Sequence, residues 1–298
     1  MFGRRPDGKA VGSGVDPITR ITPYIMVERS DAMCNATLYI ENDILTTYMR
    51  KKRDEGFRVT QMEIIIAAFI RVISQMPQLN RFVVAKKLYT RKELAVSFVV
   101  LKERSASHIV ETTLKILFDP SDTIYDVVNR IRKLVEENKE IENKNGTDKL
   151  VGFLLGIPGL LSFSVGFLKL LDRFGCLPKK IIDVSPFHTS IFITNMGSIK
   201  MDHIHHHVYN FGTTSLFFGI GKRETRVRLK RDGTLEGKWY MPIGAVNDER
   251  IAPGGTMALG FSMFKSLLRT PEKLEQPPEK VLYDLGLEYH VPKPEVSS

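Results

Sequence analysis

The most restrictive feature of this chain is a helix pattern that is apolar on every face. Thr60 and Glu63 have the spacing of a capping box, and an uninterrupted apolar run occupies positions 64–70 directly after it. Pro77 ends the pattern, because proline cannot continue a helix. A helix of this composition cannot lie on a surface, so other elements must cover it on most sides.

The elements on either side of this helix predict an α+β fold. Helix patterns occupy residues 41–55, 119–140 and 257–269. Strand patterns rich in Val, Ile, Phe and Thr occupy residues 81–89, 93–101, 108–117, 190–195 and 213–221. A hairpin follows, with its turn near Asp232 and Gly233. This order predicts helices packed on one side of a mostly antiparallel or mixed sheet.

We expect one domain over residues 19–276. Residues 1–18 are polar and Gly-rich and predict a flexible arm, and residues 277–298 predict a Pro-rich tail. A chain of 298 residues can bury a core without disulfides or metals. Its two cysteines are isolated, and its N-terminus has no apolar stretch typical of a secretory signal, so we expect a cytoplasmic protein.

The net charge of +9 leaves several kinds of surface open. It fits a solvated basic surface, a polyanionic ligand or an anionic membrane. A nucleic-acid partner is disfavoured, because the sequence has no nucleic-acid-binding motif and no basic run interleaved with aromatic residues.

Residues 150–171 form an unusual apolar insertion. Leu150–Leu168 carries no charge and reaches the lower length limit of a membrane span, but Gly156–Gly159 interrupts it. The alternatives are a buried or oligomer-contact helical hairpin, or an element that dips into a bilayer or lines an acyl-chain pocket. Basic residues follow the insertion, which suits peripheral membrane contact.

Four stretches in order carry a family resemblance. Residues 71–101 contain a helix, a Pro-x-Leu-Asn turn and paired strands, and residues 190–199 resemble a Thr-Ile-Ser-Asn-Leu-Gly strand end. Residues 213–222 match the strand that follows. Residues 238–274 are similar to a Met-x-Leu-x-x-x-x-Asp-His-Arg-x-x-Asp-Gly stretch with its helix. Together they resemble the catalytic domain of the dihydrolipoamide acyltransferases of 2-oxo acid dehydrogenase complexes.

The resemblance implies a chloramphenicol acetyltransferase-like fold, with a central mixed sheet flanked by helices. It also implies a homotrimer or larger homo-oligomer with active sites between subunits, and a coenzyme A thioester as co-substrate. In that family a histidine deprotonates the attacking group and a serine stabilises the oxyanion. By this resemblance Asn195 and Lys222 would contact substrate or coenzyme A. Asp248 and Arg250 would help to bind it or hold the loop.

The catalytic positions depart from the family pattern. Glu249 stands at the histidine and Pro253 at the aspartate, while Thr194 keeps a hydroxyl at the serine position. The chain also contains no lipoyl domain and no subunit-binding domain. Glu249 is a substitute base, or a structural residue in an inactive site, or a histidine from elsewhere replaces it.

The alternative bases are in a histidine cluster formed by His203, His205, His206 and His207. In a strand, the odd-numbered members would share one face. The cluster could be a relocated base, a polar loop, a trimer contact or a zinc site. We expect no metal, because no carboxylate or cysteine at ligand spacing accompanies the cluster apart from the adjacent Asp202. His188 is expected to be structural.

We therefore predict a coenzyme A-dependent acyltransferase-like enzyme with a small or lipidic acyl substrate. Its catalytic residues would be Glu249 and Thr194, with His205, His206 and His207 as alternative bases. The alternative prediction is a catalytically inactive homo-oligomeric scaffold, and membrane association is compatible with it.

Overall fold

A mixed sheet of seven strands forms the centre of the protein. The computed structural model describes residues 5–104, 109–141 and 158–291. The strands of the sheet are β2 (Met33–Glu41), β5 (Leu94–Arg104), β6 (Ile109–Phe118), β7 (Ile191–Asn195), β8 (Leu216–Ile220), β9 (Glu224–Leu229) and β10 (Leu235–Asp248). The strand order is β2–β10–β8–β7–β5–β6, and β9 pairs with the first half of β10. Strand β7 is parallel to β5 and β8, and the other neighbours are antiparallel.

A smaller sheet and seven helices complete the described part of the chain. The small sheet has the order β1–β4–β3, from Gly8–Ala10, Lys87–Arg91 and Arg81–Val84. The helices are α1 (Pro17–Ile25), α2 (Asn42–Asp54), α3 (Gln61–Gln75), α4 (Ile124–Ile141), α5 (Leu160–Phe174), α6 (Lys179–Val184) and α7 (Gly254–Arg269). Short 3-10 turns occupy Ser30–Ala32, Pro77–Asn80, Met196–Ile199, Pro271–Glu275 and Asp284–Gly286.

Helix α3 is the centre of the main core, as its sequence predicts. The Glu63 N–H donates to Thr60 Oγ1 at 3.3 Å, and the Thr60 N–H donates to Glu63 Oε2 at 2.6 Å, which completes the capping box. Residues 64–70 are all buried, in a cluster that includes side chains of the sheet, α4 and α7. Gly260 of α7 permits close packing here, since a Cβ at that position would lie 2.5 Å from Leu79 Cδ1.

The two ends of the described chain are attached to the body of the protein. Instead of the predicted flexible arm, Gly8–Ala10 pairs with β4, and Arg5 is buried with Asp7. Within the predicted tail, Asp284 accepts two hydrogen bonds from Arg81, at 2.7 and 2.6 Å. Composition does not reveal such attachments, because they rest on strand pairing and ion pairs with residues distant in the sequence. Positions 1–4 and 292–298 lie outside the described residues.

The apolar insertion is described only from residue 158 onwards, so positions 150–157 of the predicted hairpin lie outside the described residues. Helix α5 is preceded by Gly159 and followed by Gly175, both with positive φ. Asp172 is its one buried residue. In the described ranges, no helix is long and apolar enough to cross a membrane.

Candidate functional site

Glu249 lies on the loop directly after β10. The register pairs Asp248 with Met33 on β2 and Asn247 with Leu216 on β8, so the loop leaves the edge where these strands meet. The Glu249 N–H donates to Ala32 O at 2.9 Å, which fixes the loop backbone against the turn before β2. Pro253 then precedes the first residue of α7. Its fixed φ of −57° suits the start of a helix.

A buried ion pair holds this loop. Arg250 donates from Nε and Nη2 to the two carboxylate oxygens of Asp248, at 2.8 and 2.7 Å. It also donates from Nη1 to the carbonyls of Met26 and Val27. Arg29 lies 3.4 Å from the same carboxylate. Burial lowers the pKa of the Arg29 guanidinium, and Asp248 opposes that shift.

Asp248 and Arg250 therefore hold the loop through contacts within the protein. Both side chains are buried, and a role for them in ligand binding stays a prediction. No sequence motif predicts that Arg29 is their partner, because Arg29 lies before β2, far from Asp248 and Arg250 in the sequence.

Glu249 is partly exposed and is placed beside a thiol. The Cys34 Sγ donates to Glu249 Oε2 at 3.3 Å. Burial raises the pKa of the Cys34 thiol, and the hydrogen bond to Glu249 and the charge of that carboxylate add to the shift. The thiol is therefore held in its protonated, donating form. The carboxylate of Glu249 already accepts a hydrogen bond from a sulfhydryl group, which is the geometry required of a base acting on a thiol.

Thr194 and Asn195 lie at the end of β7. Thr194 is in register with Gly219 on β8, and its hydroxyl lies 3.6 Å from Met196 Sδ. Asn195 Oδ1 accepts from the Ser198 N–H at 3.2 Å, which stabilises the turn that follows. The ammonium of Lys222 is exposed beyond the end of β8 and pairs with the exposed Asp202 at 3.2 Å.

Thr194 and Glu249 are far apart within one chain. Thr194 is level with Gly219, and Gly219 is level with Gly244 on β10. Glu249 comes five residues after Gly244. At about 3.3 Å per residue, the two positions are roughly 16 Å apart along the strand direction alone. They cannot act on the same atom within one chain.

The histidine cluster crosses the face of the sheet opposite α3. The carbonyl oxygen of Ile204 in this cluster lies very close to two glycines of the sheet. A Cβ added to Gly244 would lie 2.2 Å from that oxygen, and a Cβ added to Gly219 would lie 2.4 Å from it. Val208 is buried in a small core with Phe192, Phe217 and Val246. No strand is assigned to this segment, because it crosses the sheet surface instead of pairing at an edge.

The cluster histidines have different surroundings. His203 and His205 each place Nε2 near Thr37 Oγ1, at 3.3 and 3.2 Å. His206 stacks on Phe217, with ring centroids 4.3 Å apart. The side chain of His207 is exposed. Among the described residues, no three His, Cys, Asp or Glu side chains are placed to hold a metal ion.

His188 lies outside this cluster and is buried. Its Nδ1 is 2.8 Å from Ser185 Oγ, and its Nε2 is 3.4 Å from Asp172 Oδ1. Asp172 is itself paired with Arg5 at 2.6 Å. These contacts tie helix α5 to the N-terminus and to the turn before β7.

No protein-family model matches the chain, and no curated protein matches its sequence. Solved structures do match. A probable dihydrolipoamide acetyltransferase from Listeria monocytogenes is 14% identical, covers 92% of this chain and 98% of its own, and has a TM-score of 0.52. A chloramphenicol acetyltransferase is 10% identical, with coverage of 88% and 99% and a TM-score of 0.51.

A third match is the cubic core of a pyruvate dehydrogenase multienzyme complex, at 11% identity, with coverage of 86% of this chain and 88% of its own and a TM-score of 0.51. At such identities a likeness shows the fold. The fold predicted from the four sequence stretches is confirmed: this chain has the chloramphenicol acetyltransferase-like fold of the 2-oxo acid dehydrogenase acyltransferase cores.

Proposed function

We propose that this protein is a coenzyme A-dependent acyltransferase of the cytoplasm that works as a homotrimer or larger homo-oligomer. The observation that carries the proposal is the placement of Glu249. The loop that carries Glu249 is held by the buried Asp248–Arg250 ion pair. The Glu249 carboxylate is partly exposed and lies within hydrogen-bond distance of the Cys34 thiol. The fold likeness to acetyltransferases supports the reaction class.

The distance between Thr194 and Glu249 supports a site shared by two chains. One match is a cubic core, so this fold does occur in symmetric assemblies. In the proposed site Glu249 of one chain faces Thr194 of its neighbour. Lys222 lies at the Thr194 end, where its ammonium would suit a phosphate of coenzyme A.

The proposed reaction moves an acyl group from a thioester to a thiol or hydroxyl. Glu249 accepts the proton of the attacking group, which then bonds to the thioester carbonyl carbon. The Thr194 hydroxyl donates to the resulting oxyanion. The carbon–sulfur bond then breaks, and the coenzyme A thiolate leaves and takes the proton from Glu249. His205 and His207 are the alternative bases with exposed rings. His206 is less suited, since its ring is stacked on Phe217.

Binding is tested first, by calorimetric titration with acetyl-coenzyme A and with a long-chain acyl-coenzyme A. We expect saturable binding to at least one of them, and a Lys222→Ala variant that binds more weakly. Absence of binding to both would overturn the proposal and favour the inactive scaffold.

The shared site is then tested by mixing variants, using any acceptor that supports turnover. Glu249→Gln and Thr194→Ala should each be inactive alone. After dissociation and random reassembly of the two, about a quarter of the interfaces combine an intact Glu249 with an intact Thr194, and activity should return to that level. The double variant mixed with wild type is the matched control. If Glu249→Gln keeps wild-type activity and activity is lost only when His205 or His207 is replaced, the base is a residue of the histidine cluster.

A further inference from the structure

Helix α5 presents an apolar stripe to solvent. Phe163, Phe167, Leu170 and Phe174 are 71%, 50%, 50% and 51% exposed. Their spacing of four, three and four residues places them within a sector of about 60° around the helix. The rings of Phe163 and Phe167 stack on one another, with centroids 6.3 Å apart, so the stripe is continuous. Burying one such ring is worth about 2 kcal/mol, so a stripe of four is a strong signal for a contact surface.

We name the stripe formed by Phe163, Phe167, Leu170 and Phe174 the α5 face. A cleft of about 400 Å³ borders the same helix and is lined by Lys169, Asp172 and Arg173, which lie on another side of α5 from the stripe.

Three cations stand at the rim of this cleft. They are Lys169 and Arg173 of α5 and Lys86 of the β3–β4 turn. Lys86 has a φ of 62°, a left-handed conformation that is uncommon for lysine, and its ammonium lies 5.8 Å from the ring of Tyr24. The described residues provide no ion-pair partner for Lys169 or Arg173. Glu28 is the one exposed carboxylate in the lining.

We propose that the α5 face docks on an anionic lipid bilayer. Its apolar side chains would enter the interface, and the rim cations beside it would meet anionic headgroups. The cations Lys169 and Arg173 of this helix favour an anionic lipid surface over a second copy of the chain. The inference does not depend on the proposed acyl transfer.

Co-sedimentation with sucrose-loaded vesicles tests the charge requirement. We expect binding to vesicles that mix phosphatidylglycerol with phosphatidylcholine, and at least about tenfold weaker binding to phosphatidylcholine alone. Raising the salt from about 0.05 to 0.5 M should weaken binding to the anionic vesicles. Lys169→Glu/Arg173→Glu should lower the partition coefficient about tenfold or more. Lys280→Glu, an exposed change outside this face, is the matched control.

Fluorescence tests which residues enter the bilayer. In the background Trp239→Phe, the variant Phe167→Trp should show a blue shift on anionic vesicles. The native Trp239 lies on β10, outside the α5 face, and its emission should not shift. Phe163→Ser/Phe167→Ser should abolish vesicle binding, while Leu229→Ser, at an exposed position on β9, should not.

Mass measurement of every variant tests whether a second copy of the chain, instead of a bilayer, covers this face. If Phe163→Ser/Phe167→Ser breaks up an oligomer and the wild type does not bind vesicles, the face is a contact between copies and the proposal is overturned. Binding that ignores lipid charge and the Lys169 and Arg173 changes would also overturn it. Unfolding curves for each variant exclude a loss of fold.

Discussion

Asp248 and Arg250 stand two residues apart and form a buried pair in which each carboxylate oxygen accepts one hydrogen bond from the guanidinium. The pair flanks Glu249, so the residue at the proposed base position is held from both sides. Arg250 also joins the loop to the chain just after α1 through the Met26 and Val27 carbonyls. The loop of the candidate site and the end of α1 are thus linked through one side chain.

Removal of the Arg250 guanidinium should strongly destabilise the protein. Arg250→Met leaves Asp248 buried, with Arg29 as its remaining charged neighbour at 3.4 Å. We expect a loss of about 3 kcal/mol in the free energy of unfolding, because breaking a buried pair strands a charge. Urea unfolding measures this. Lys133→Met, which breaks an exposed pair with Glu137, is the control and should cost under about 0.5 kcal/mol. Equal effects of the two changes would contradict the structure.

The path of the histidine cluster should depend on glycine at position 244. In Gly244→Ala the new Cβ would lie 2.2 Å from Ile204 O, a backbone atom that cannot move alone. We expect a loss of about 2 kcal/mol in stability and altered NMR shifts of the His203 and His205 rings. Gly237→Ala on the same strand is the control, because its Cβ would meet only Thr225 Cγ2 at 3.5 Å. Unchanged histidine shifts in Gly244→Ala would refute this packing.

The capping box should contribute measurably to stability. Thr60→Ala removes the acceptor for the Glu63 N–H, and we expect a loss of about 1 kcal/mol in the free energy of unfolding. Thr60→Ser keeps the oxygen and should lose much less. A thermal unfolding comparison of the two variants decides the matter, and equal losses would show that the cap is unimportant.

Sequence signals that act over a few residues, such as capping boxes and turn residues, correctly predicted the elements that depend on them. The α3 cap and the hairpin turn at Asp232 and Gly233 are confirmed, since capping and turn chemistry act over a few residues. Gly233 has a φ of 81°, which glycine adopts without strain. Helix α1 was missed, because its β-branched residues and internal Pro23 disfavour a helix locally.

The site could be predicted only in part. The residues on the loop after β10 follow from the family resemblance, but their partners do not. Arg29, Cys34 and Thr37 approach the loop or the histidine cluster through the pairing of β2 with β10, and such register is invisible in one sequence. The distance between Thr194 and Glu249 likewise needs the strand alignment across three strands.

Lys115 should make stability depend on pH. Its ammonium donates to Ile182 O at 2.7 Å, and burial lowers the lysine pKa from 10.5 to about 8, although the nearby charge of Glu93 opposes this shift. Between these two values the unfolded chain binds a proton that the folded protein does not bind. The free energy of unfolding should therefore rise with pH through this window and be flat, for this group, below about pH 8.

The measurement is the difference in unfolding free energy between wild type and Lys115→Met at several pH values from 7 to 10.5. The variant has neither the titrating group nor the buried charge. Its free energy of unfolding relative to wild type should therefore be highest at pH 7, where Lys115 of the wild type is charged. Wild type should then gain about 3 kcal/mol relative to the variant as the pH rises to 10.5, since one pKa unit corresponds to about 1.4 kcal/mol. Lys280→Met, at an exposed position, should give a difference that does not change with pH. Parallel curves for wild type and Lys115→Met would mean that Lys115 keeps its ordinary pKa, and the burial of its ammonium against Ile182 O would then be incorrect.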